Sequence, residues 1–347
     1  MDGHTTSDYN STVEPFDLEI GGLCTIFEEN PHYCDIIIAV RRATACISLI
    51  GCLFMISVMW LFRRYLALAQ RLILYLSIGA LLDCVAYLMG GLHPDGPLCN
   101  FQGFWLTYFD WTVLLWVSCI TFNLYMNVVR ATETEKFEWV YHLVCCLLPL
   151  LMSSLPFIGD NYGPAGAWCW IVENWKWRVG IWYGPLFAII ALLFVTYIYI
   201  VITLSRKAST WEGTYDPDTE RNKQMLKEDI KPLRGYPFVY LAVSIFPLVN
   251  RIQNAISSGN PVFTLVLLAS ISSPLHGALN AIVFGMDRSI FQQLTPSQIK
   301  VAVQSHFYRG QEIREYPVTY RSSDIYGHTS QDFQVPRYNH VSYSKLC

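Results

Sequence analysis

Long apolar runs alternate with short polar segments along the chain, and seven of the runs are long enough to cross a membrane. A bilayer core about 30 Å thick requires roughly 20 apolar residues in a helix that rises 1.5 Å per residue. The runs predict spans at residues 36–62, 72–92, 101–129, 139–158, 179–204, 236–257 and 263–285. The sixth is the least apolar, because it carries Asn250, Arg251, Gln253 and Asn254. The pattern therefore predicts an all-α membrane protein, a bundle of seven transmembrane helices.

Composition supports this interpretation, since 53% of the 347 residues are hydrophobic and only 15% are charged. So few charges cannot cover a soluble surface of that size. We expect an extracellular N-terminal segment at 1–35, a transmembrane domain at 36–285 and a cytoplasmic tail at 286–347. The start of the tail, residues 286–308, has the pattern of an amphipathic helix on the membrane surface, interrupted at Pro296.

The basic residues of the loops predict the orientation of the bundle. Arginine and lysine residues concentrate in the loops after the first, third and fifth runs. The opposite side offers little beyond Lys176 and Arg178, with Arg41 and Arg42 at the edge of the first run. The positive-inside rule then places the N-terminus outside the cell and the C-terminus in the cytoplasm, in agreement with an odd number of spans.

Four cysteines fall on the predicted extracellular side, where disulfides persist: Cys24, Cys34, Cys99 and Cys169. Cys99 lies at the outer start of the third run and Cys169 in the second outer loop. A bridge between them would hold that loop over the bundle as a lid, and Cys24 would pair with Cys34. Pairing of Cys24 or Cys34 with either of the others is the alternative. On the same side, the sequence motif at Asn10 predicts N-glycosylation.

The second outer loop is rich in tryptophan as it enters the fifth span. It carries Trp168, Trp170, Trp175, Trp177 and Trp182. Indole rings favour the depth of the lipid headgroups, and that preference alone explains their number. As parts of a lid, Trp170 and Lys176 are also candidates for contact with a ligand.

Charged side chains within spans are costly and by default indicate function. Arg251 lies about 22 Å up a core of about 30 Å, counted from the inner end of the sixth run. With Asp110 and Asn254 it is a candidate to bind an anionic or zwitterionic ligand, because arginine holds a carboxylate or phosphate through two parallel hydrogen bonds. The alternative is a structural arginine, paired with Asp110 or extended towards the membrane surface.

Asp83, midway along the second run, is expected to belong to a buried structural network. Its candidate partners are His276, Asn280 and Asn123. Such a network between helices two, three and seven would also be able to switch between two arrangements.

The inner end of the third run carries polar residues at helical spacing. Asn123, Asn127 and Arg130 follow a four-then-three spacing, which places them on one helical face suited to a signalling partner. A solvated helix end is the alternative. Pro247, four residues before Arg251, is the predicted hinge that couples an outer pocket to inner motion.

Several stretches resemble the slime-mould cyclic-AMP receptor family of G-protein-coupled receptors. They are ETEKFEWVYHLVCCLLPLL (133–151), GAWCWI (166–171), WRVGIWYGPL (177–186) and VNRIQN (249–254). SPLHGALNAIVF (273–284) is similar to the animal relatives of that family. The resemblance covers roughly residues 36 to 290. The third run ends in NVVRATE instead of the Asp-Arg-Tyr of rhodopsin-like receptors, and the seventh lacks their Asn-Pro-x-x-Tyr.

The resemblance implies a plasma-membrane receptor, not an enzyme and without a cofactor, that activates heterotrimeric G proteins when an agonist binds. The expected G-protein contacts are Asn127, Arg130, Arg206 and Lys207. The other expected partners are an unidentified extracellular ligand, membrane lipids, and kinases and arrestin at the tail, but no nucleic-acid polymer.

Other classes of seven-helix protein fit the sequence less well. The seventh run contains no lysine, which argues against a retinal protein. His142 and His276, the histidines within spans, are far apart in sequence, which argues against a metal-dependent hydrolase. A constitutively active receptor remains an alternative, and a transporter or channel a weaker one.

Overall fold

The computed structural model describes residues 26–27, 30, 32–89, 94–132, 134–165, 167–172, 175–210, 231–256 and 260–307. Within these residues, seven helices are long and apolar enough to cross a membrane, which confirms the predicted bundle. Asn10, Cys24, most of the third inner loop and the tail beyond 307 lie outside the described residues. Cys34, at the start of the first helix, is disulfide-bonded.

The spanning helices are α1 (His32–Leu61), α2 (Leu68–Met89), α3 (Pro97–Tyr125), α4 (Glu138–Ser154), α5 (Gly184–Thr210), α6 (Gly235–Ile256) and α7 (Phe263–Gly285). Two short helices follow, α8 (Arg288–Gln293) and α9 (Pro296–Phe307), so that Pro296 begins a helix where the sequence predicts an interruption. The end of the bundle at which α3 begins is called the outer end, after the predicted orientation. Most predicted bounds lie within about four residues of these.

Two spanning helices carry π-helical turns at one end. The turn Met126–Arg130 continues α3 at the inner end, and Arg178–Tyr183 precedes α5 at the outer end. A π turn bonds residue i to i+5, so it shifts the faces that a continuous α-helix would present. Asn127 and Arg130 lie in the π turn, so their spacing from Asn123 does not by itself place the three on one face. Asn123 is buried, Asn127 half-buried and Arg130 exposed.

The second outer loop forms an antiparallel hairpin of strands β1 (Tyr162–Pro164) and β2 (Cys169–Ile171). A disulfide joins Cys169 to Cys99 in the first turn of α3, with their Cα atoms 5.2 Å apart. The predicted bridge is thus confirmed. It fixes the hairpin across the outer end of α3.

A close approach at Gly103 reinforces the disulfide one turn further along α3. A Cβ atom at Gly103 would lie 2.7 Å from Cδ1 of Tyr162 and 3.3 Å from Cα of Trp170. The Tyr162 hydroxyl donates to the carbonyl oxygen of Ser153 at 2.8 Å, and burial raises the pKa of that phenol well above its ordinary value. Tyr162 therefore stays a hydrogen-bond donor, and the hairpin is held by α3 and the end of α4.

Helices α1 and α7 pack closely at small residues. A Cβ atom at Gly277 would lie 2.8 Å from Sγ of Cys52 and 3.1 Å from Cβ of Ser48, and one at Gly51 would lie 3.0 Å from Cβ of Ala281. Small residues let the backbones of membrane helices approach, which is a common basis of their association.

Ser48 of α1 also enters the hydrogen bonding of α7. Its hydroxyl donates to the carbonyl oxygen of Pro274 at 2.5 Å and accepts from the amide of Ala278 at 3.1 Å. A regular α-helix pairs those two groups directly, from residue i to i−4. A side chain inserted between them is a recognised cause of helix bending. The turn of α7 between Pro274 and Ala278 therefore depends on α1.

An ion pair joins α2 and α4 at their inner ends. Arg71 donates from Nε to Oε1 of Glu138 at 2.7 Å and from Nη2 to Oε2 at 2.9 Å. The Tyr75 hydroxyl donates to the same carboxylate at 3.3 Å. The bidentate geometry makes this pair stronger than an ordinary surface contact.

Candidate functional site

A cavity of about 140 Å³ lies beneath the hairpin at the outer end of the bundle. Its wall comes from the second outer loop and from every spanning helix except α4. Most of the lining is aromatic or aliphatic. The charged and imidazole groups on it are Arg41, Asp110, Arg251 and His276. An apolar cavity with a few convergent polar groups is the usual form of a small-molecule site.

Three of the loop tryptophans face this cavity: Trp168, Trp170 and Trp182. Trp170 is buried with its ring edge-on to Trp182 at 5.4 Å, and Trp182 meets Trp111 of α3 in the same way at 5.5 Å. The expectation that these indoles lie among lipid headgroups is therefore wrong for Trp170 and Trp182. The disulfide at Cys169 draws the neighbouring residues inward over the cavity.

Arg251 of α6 lies on the cavity wall with its guanidinium near two aromatic rings. Its Cζ is 5.0 Å from the ring centre of Trp170 and 5.6 Å from that of Tyr183. Within the described residues it makes no hydrogen bond or ion pair, so the expected alternative of a pair with Asp110 is absent there. Pro247 lines the same wall one turn earlier.

Two further candidates lie apart from Arg251. Lys176 is exposed in the short helix Trp175–Trp177, and Asn254 is half-buried in the last turns of α6. Neither lines the cavity. Asn250, which does line it, is buried, and its Oδ1 has no hydrogen-bond partner within the described residues.

Arg41 of α1 is the cavity residue that sequence reasoning missed. Its side chain is only 7% exposed, and its Cζ lies 4.4 Å from the ring centre of Tyr87 and 4.0 Å from that of Trp168. The apolar pattern places it at the edge of the first run, because that run begins at residue 36. The helix begins at His32, which places Arg41 about 14 Å along it.

Tyr87 of α2 connects Arg41 with Asp110. Its ring faces the guanidinium of Arg41, while its hydroxyl donates to Oδ1 of Asp110 at 3.0 Å. Asp110 is half-buried on the cavity wall, which leaves room for a ligand to approach its carboxylate.

Asp83 lies in the bundle interior opposite α7. Oδ2 of Asp83 is 3.8 Å from Nε2 of His276, and Nδ1 of His276 is 2.8 Å from the carbonyl oxygen of Ser273. Neither oxygen of Asp83, nor Oδ1 of the buried Asn280, has a hydrogen-bond partner within the described residues. Asn123 belongs elsewhere, since its Oδ1 accepts from the hydroxyl of Thr134 in the second inner loop. The structure thus brings Asp83 and His276 together and places Asn123 in a different contact.

The inner end of the bundle gathers the predicted signalling residues from two helices. Lys207 of α5 donates from Nζ to the carbonyl oxygen of Val128 in the π turn of α3, at 2.5 Å. Arg130, two residues later, and Arg206 are exposed, while Asn127 is half-buried. The described residues contain no group of three His, Cys, Asp or Glu side chains placed to hold a metal ion.

Comparison with known proteins gives consistent matches over most of the chain. A family model described as slime mold cyclic AMP receptor matches residues 30–314. G-protein coupled receptor 1 of Arabidopsis thaliana is 25% identical over 260 residues, which is 74% of this chain and 79% of that protein. Cyclic AMP receptor-like protein A of Dictyostelium discoideum is 26% identical over 271 residues, 77% and 69% of the two chains. G-protein coupled receptor 157 of Rattus norvegicus is 27% identical over 272 residues, 71% and 80%.

Proposed function

The chain belongs to the slime mold cyclic AMP receptor family, and on that premise we propose that its outer cavity is the agonist site. It is a G-protein-coupled receptor and a multi-pass protein of the plasma membrane. Its curated relatives are receptors and not enzymes, and we extend that statement to this chain. The N-terminus and the hairpin would face the outside of the cell, as the loop charges predict.

The guanidinium of Arg251 carries this proposal. It lies at the cavity wall against Trp170, and within the described residues no acceptor occupies its donors. A cation placed in this way attracts an anionic or zwitterionic ligand, and Asp110 on the same wall accepts from a donor on that ligand. The name of Cyclic AMP receptor-like protein A makes nucleotides the first anions to test.

The inner end of the bundle would receive the G protein. Arg130 and Arg206 are exposed there, and the contact of Lys207 with Val128 ties α5 to the end of α3. Agonist binding would move α6 about Pro247, which lines the cavity one turn before Arg251. Kinases and arrestin would act on the tail, and membrane lipids would contact α9. Glycosylation at Asn10 and a Cys24–Cys34 bridge complete the proposal on the outer side.

The test of the agonist site uses a G-protein dissociation assay in cells, with a panel of nucleotides and small anionic metabolites. Once an agonist is found, Arg251→Ala and Arg251→Lys should each lower its potency at least tenfold, because lysine cannot copy the two parallel hydrogen bonds. Lys176→Ala is the matched control, as an exposed cation that does not line the cavity. Surface abundance is measured for every variant.

Two results would contradict the agonist site. An unchanged agonist potency in Arg251→Ala would show that Arg251 does not bind the ligand. Loss of surface expression that is restored by adding Asp110→Asn would show that the arginine is structural.

A separate experiment tests the inner contact. Arg130→Ala should reduce G-protein activation at unchanged surface abundance, whereas Lys136→Ala, an exposed cation of the next loop, should not. Equal signalling in the two variants would show that Arg130 is only a solvated helix end.

A further inference from the structure

Two arginines from opposite parts of the chain face one cavity. Arg41 of α1 and Arg251 of α6 both line it, so two like charges face the same enclosed space. The guanidinium of Arg41 lies against the rings of Tyr87 and Trp168. The guanidinium of Arg251 lies against the rings of Trp170 and Tyr183. The two tryptophans belong to the same disulfide-held loop.

Neither guanidinium group has an acceptor within the described residues. Arg41 is more than nine-tenths buried, yet it makes no hydrogen bond and no ion pair there, and the same holds for Arg251. Each guanidinium carries five N–H donors. Burial of a charge without hydrogen-bonded partners is costly, and the cation–π contacts offset only part of that cost.

The charges of the cavity wall are also unbalanced. Among the described residues, Asp110 supplies the carboxylate on the wall, and its Oδ1 already accepts from Tyr87, while Asp83 lies behind the wall in the bundle interior. On the wall itself two arginines therefore face one aspartate, in a place where the dielectric constant is low. An anion bound between the arginines would remove their mutual repulsion and supply the missing acceptors.

We propose that Arg41 is the second anchoring residue of the ligand and that the ligand is a small organic anion held by both arginines. The inference rests on the proposed function, since it concerns the same cavity. The anionic group offers at least two acceptor oxygens, as a carboxylate or a phosphate does, because a planar guanidinium binds such groups in pairs. The rest of the ligand is flat and apolar, to match the indoles of Trp111, Trp170 and Trp182.

Thermal unfolding of the purified receptor in lipid nanodiscs tests this assignment without a known agonist. The probes are phenyl phosphate and benzoate, with inorganic phosphate as the anion without a flat body and benzyl alcohol as the flat body without a charge. The two aromatic anions should raise the Tm in a concentration-dependent way and benzyl alcohol should not. A weaker effect of inorganic phosphate is expected because it lacks the apolar body.

The decisive variant is Arg41→Met, which keeps the apolar stem and removes the charge. It should weaken the apparent affinity for phenyl phosphate on the order of tenfold or more. The Tm without probe should stay equal or rise, because a buried charge without hydrogen-bonded partners is removed. Arg42→Met is the matched control, since Arg42 is exposed and does not line the cavity. Arg41→Lys should also bind more weakly, because the paired donors are lost.

Each result decides the inference. It is overturned if no aromatic anion stabilises the receptor, if Arg41→Met binds phenyl phosphate as the original chain does, or if Arg41→Met lowers the Tm while the response to the probe persists. In the last case Arg41 is structural. Stabilisation that requires Arg41 but accompanies no G-protein response would leave the anion site standing and remove the proposed agonist role. A loss of agonist potency in the Arg251 variants but not in the Arg41 variants would leave the agonist site standing and remove Arg41 as an anchoring residue.

Discussion

The close approach of α1 and α7 at Gly277 gives the sharpest test of the packing. A methyl group at Gly277 would meet Sγ of Cys52 at 2.8 Å and Cβ of Ser48 at 3.1 Å, both shorter than ordinary van der Waals contact. Gly277→Ala therefore forces the two helices apart or shifts their side chains. Gly285, at the end of the same helix, has no atom within 4 Å of the corresponding position.

The two alanine variants separate the cost of the contact from the effect of helix propensity. Alanine favours a helix over glycine by roughly 1 kcal/mol in the interior, whereas overpacking of a close interface costs about 1–3 kcal/mol. Gly285→Ala should thus be neutral or slightly stabilising, and Gly277→Ala should lower the free energy of unfolding by about 1–3 kcal/mol relative to it. The Tm of the purified receptor should differ by several degrees between the two variants.

A second substitution identifies the atoms responsible. Cys52→Ala removes the sulfur at 2.8 Å, so its combination with Gly277→Ala should be less destabilised than the sum of the single changes. An equal Tm for Gly277→Ala and Gly285→Ala would refute the close packing of α1 on α7. Simple additivity with Cys52→Ala would refute the assignment of the clash.

Three further predictions concern other contacts. Cys169→Ala should lower the free energy of unfolding by about 2–4 kcal/mol, measured by thermal unfolding without reductant, whereas an unchanged Tm would show that the disulfide does not hold the hairpin. Glu138→Arg should reduce the Tm, and addition of Arg71→Glu should restore most of the loss; no recovery would mean that the ion pair between α2 and α4 contributes nothing. Ser48→Ala should change basal G-protein activation at unchanged surface abundance, while Ser118→Ala, whose hydroxyl donates to the carbonyl oxygen of Leu114 in its own helix, should not. Equal basal signals in the two serine variants would exclude a role of the Ser48 bridge in the signalling equilibrium.

The spans and the disulfide were predictable because each follows from a local signal. The length of an apolar run shows directly whether a helix can cross a bilayer. The structure places the seven helices where the runs predict them. Cys99 and Cys169 were recognisable from the predicted compartment and from their positions at the outer ends of two neighbouring elements.

The cavity was only partly predictable, because its wall is assembled from residues that are distant in the sequence. Nothing near Arg41 in the sequence indicates that its guanidinium will lie over the ring of Trp168. The residues before it are polar, so the apolar pattern does not show that α1 begins as early as His32. Asn123 was expected beside Asp83 on the basis of polarity alone, and its bond to Thr134 depends on the fold of an inner loop. The π turn at the end of α3 also has no simple signature in the pattern of apolar positions.

The hydroxyl of Ser48 has a mechanical consequence for the bundle. It joins two backbone groups of α7, and His276 of the cavity wall lies between them, so any displacement of that turn strains hydrogen bonds that pass through α1. In the membrane interior no water replaces such bonds when they break. The outer half of α7 therefore cannot tilt freely against its inner half unless α1 moves with it. We therefore expect α1 and α7 to move together at this turn, so that the bundle has fewer independent motions than its seven helices suggest.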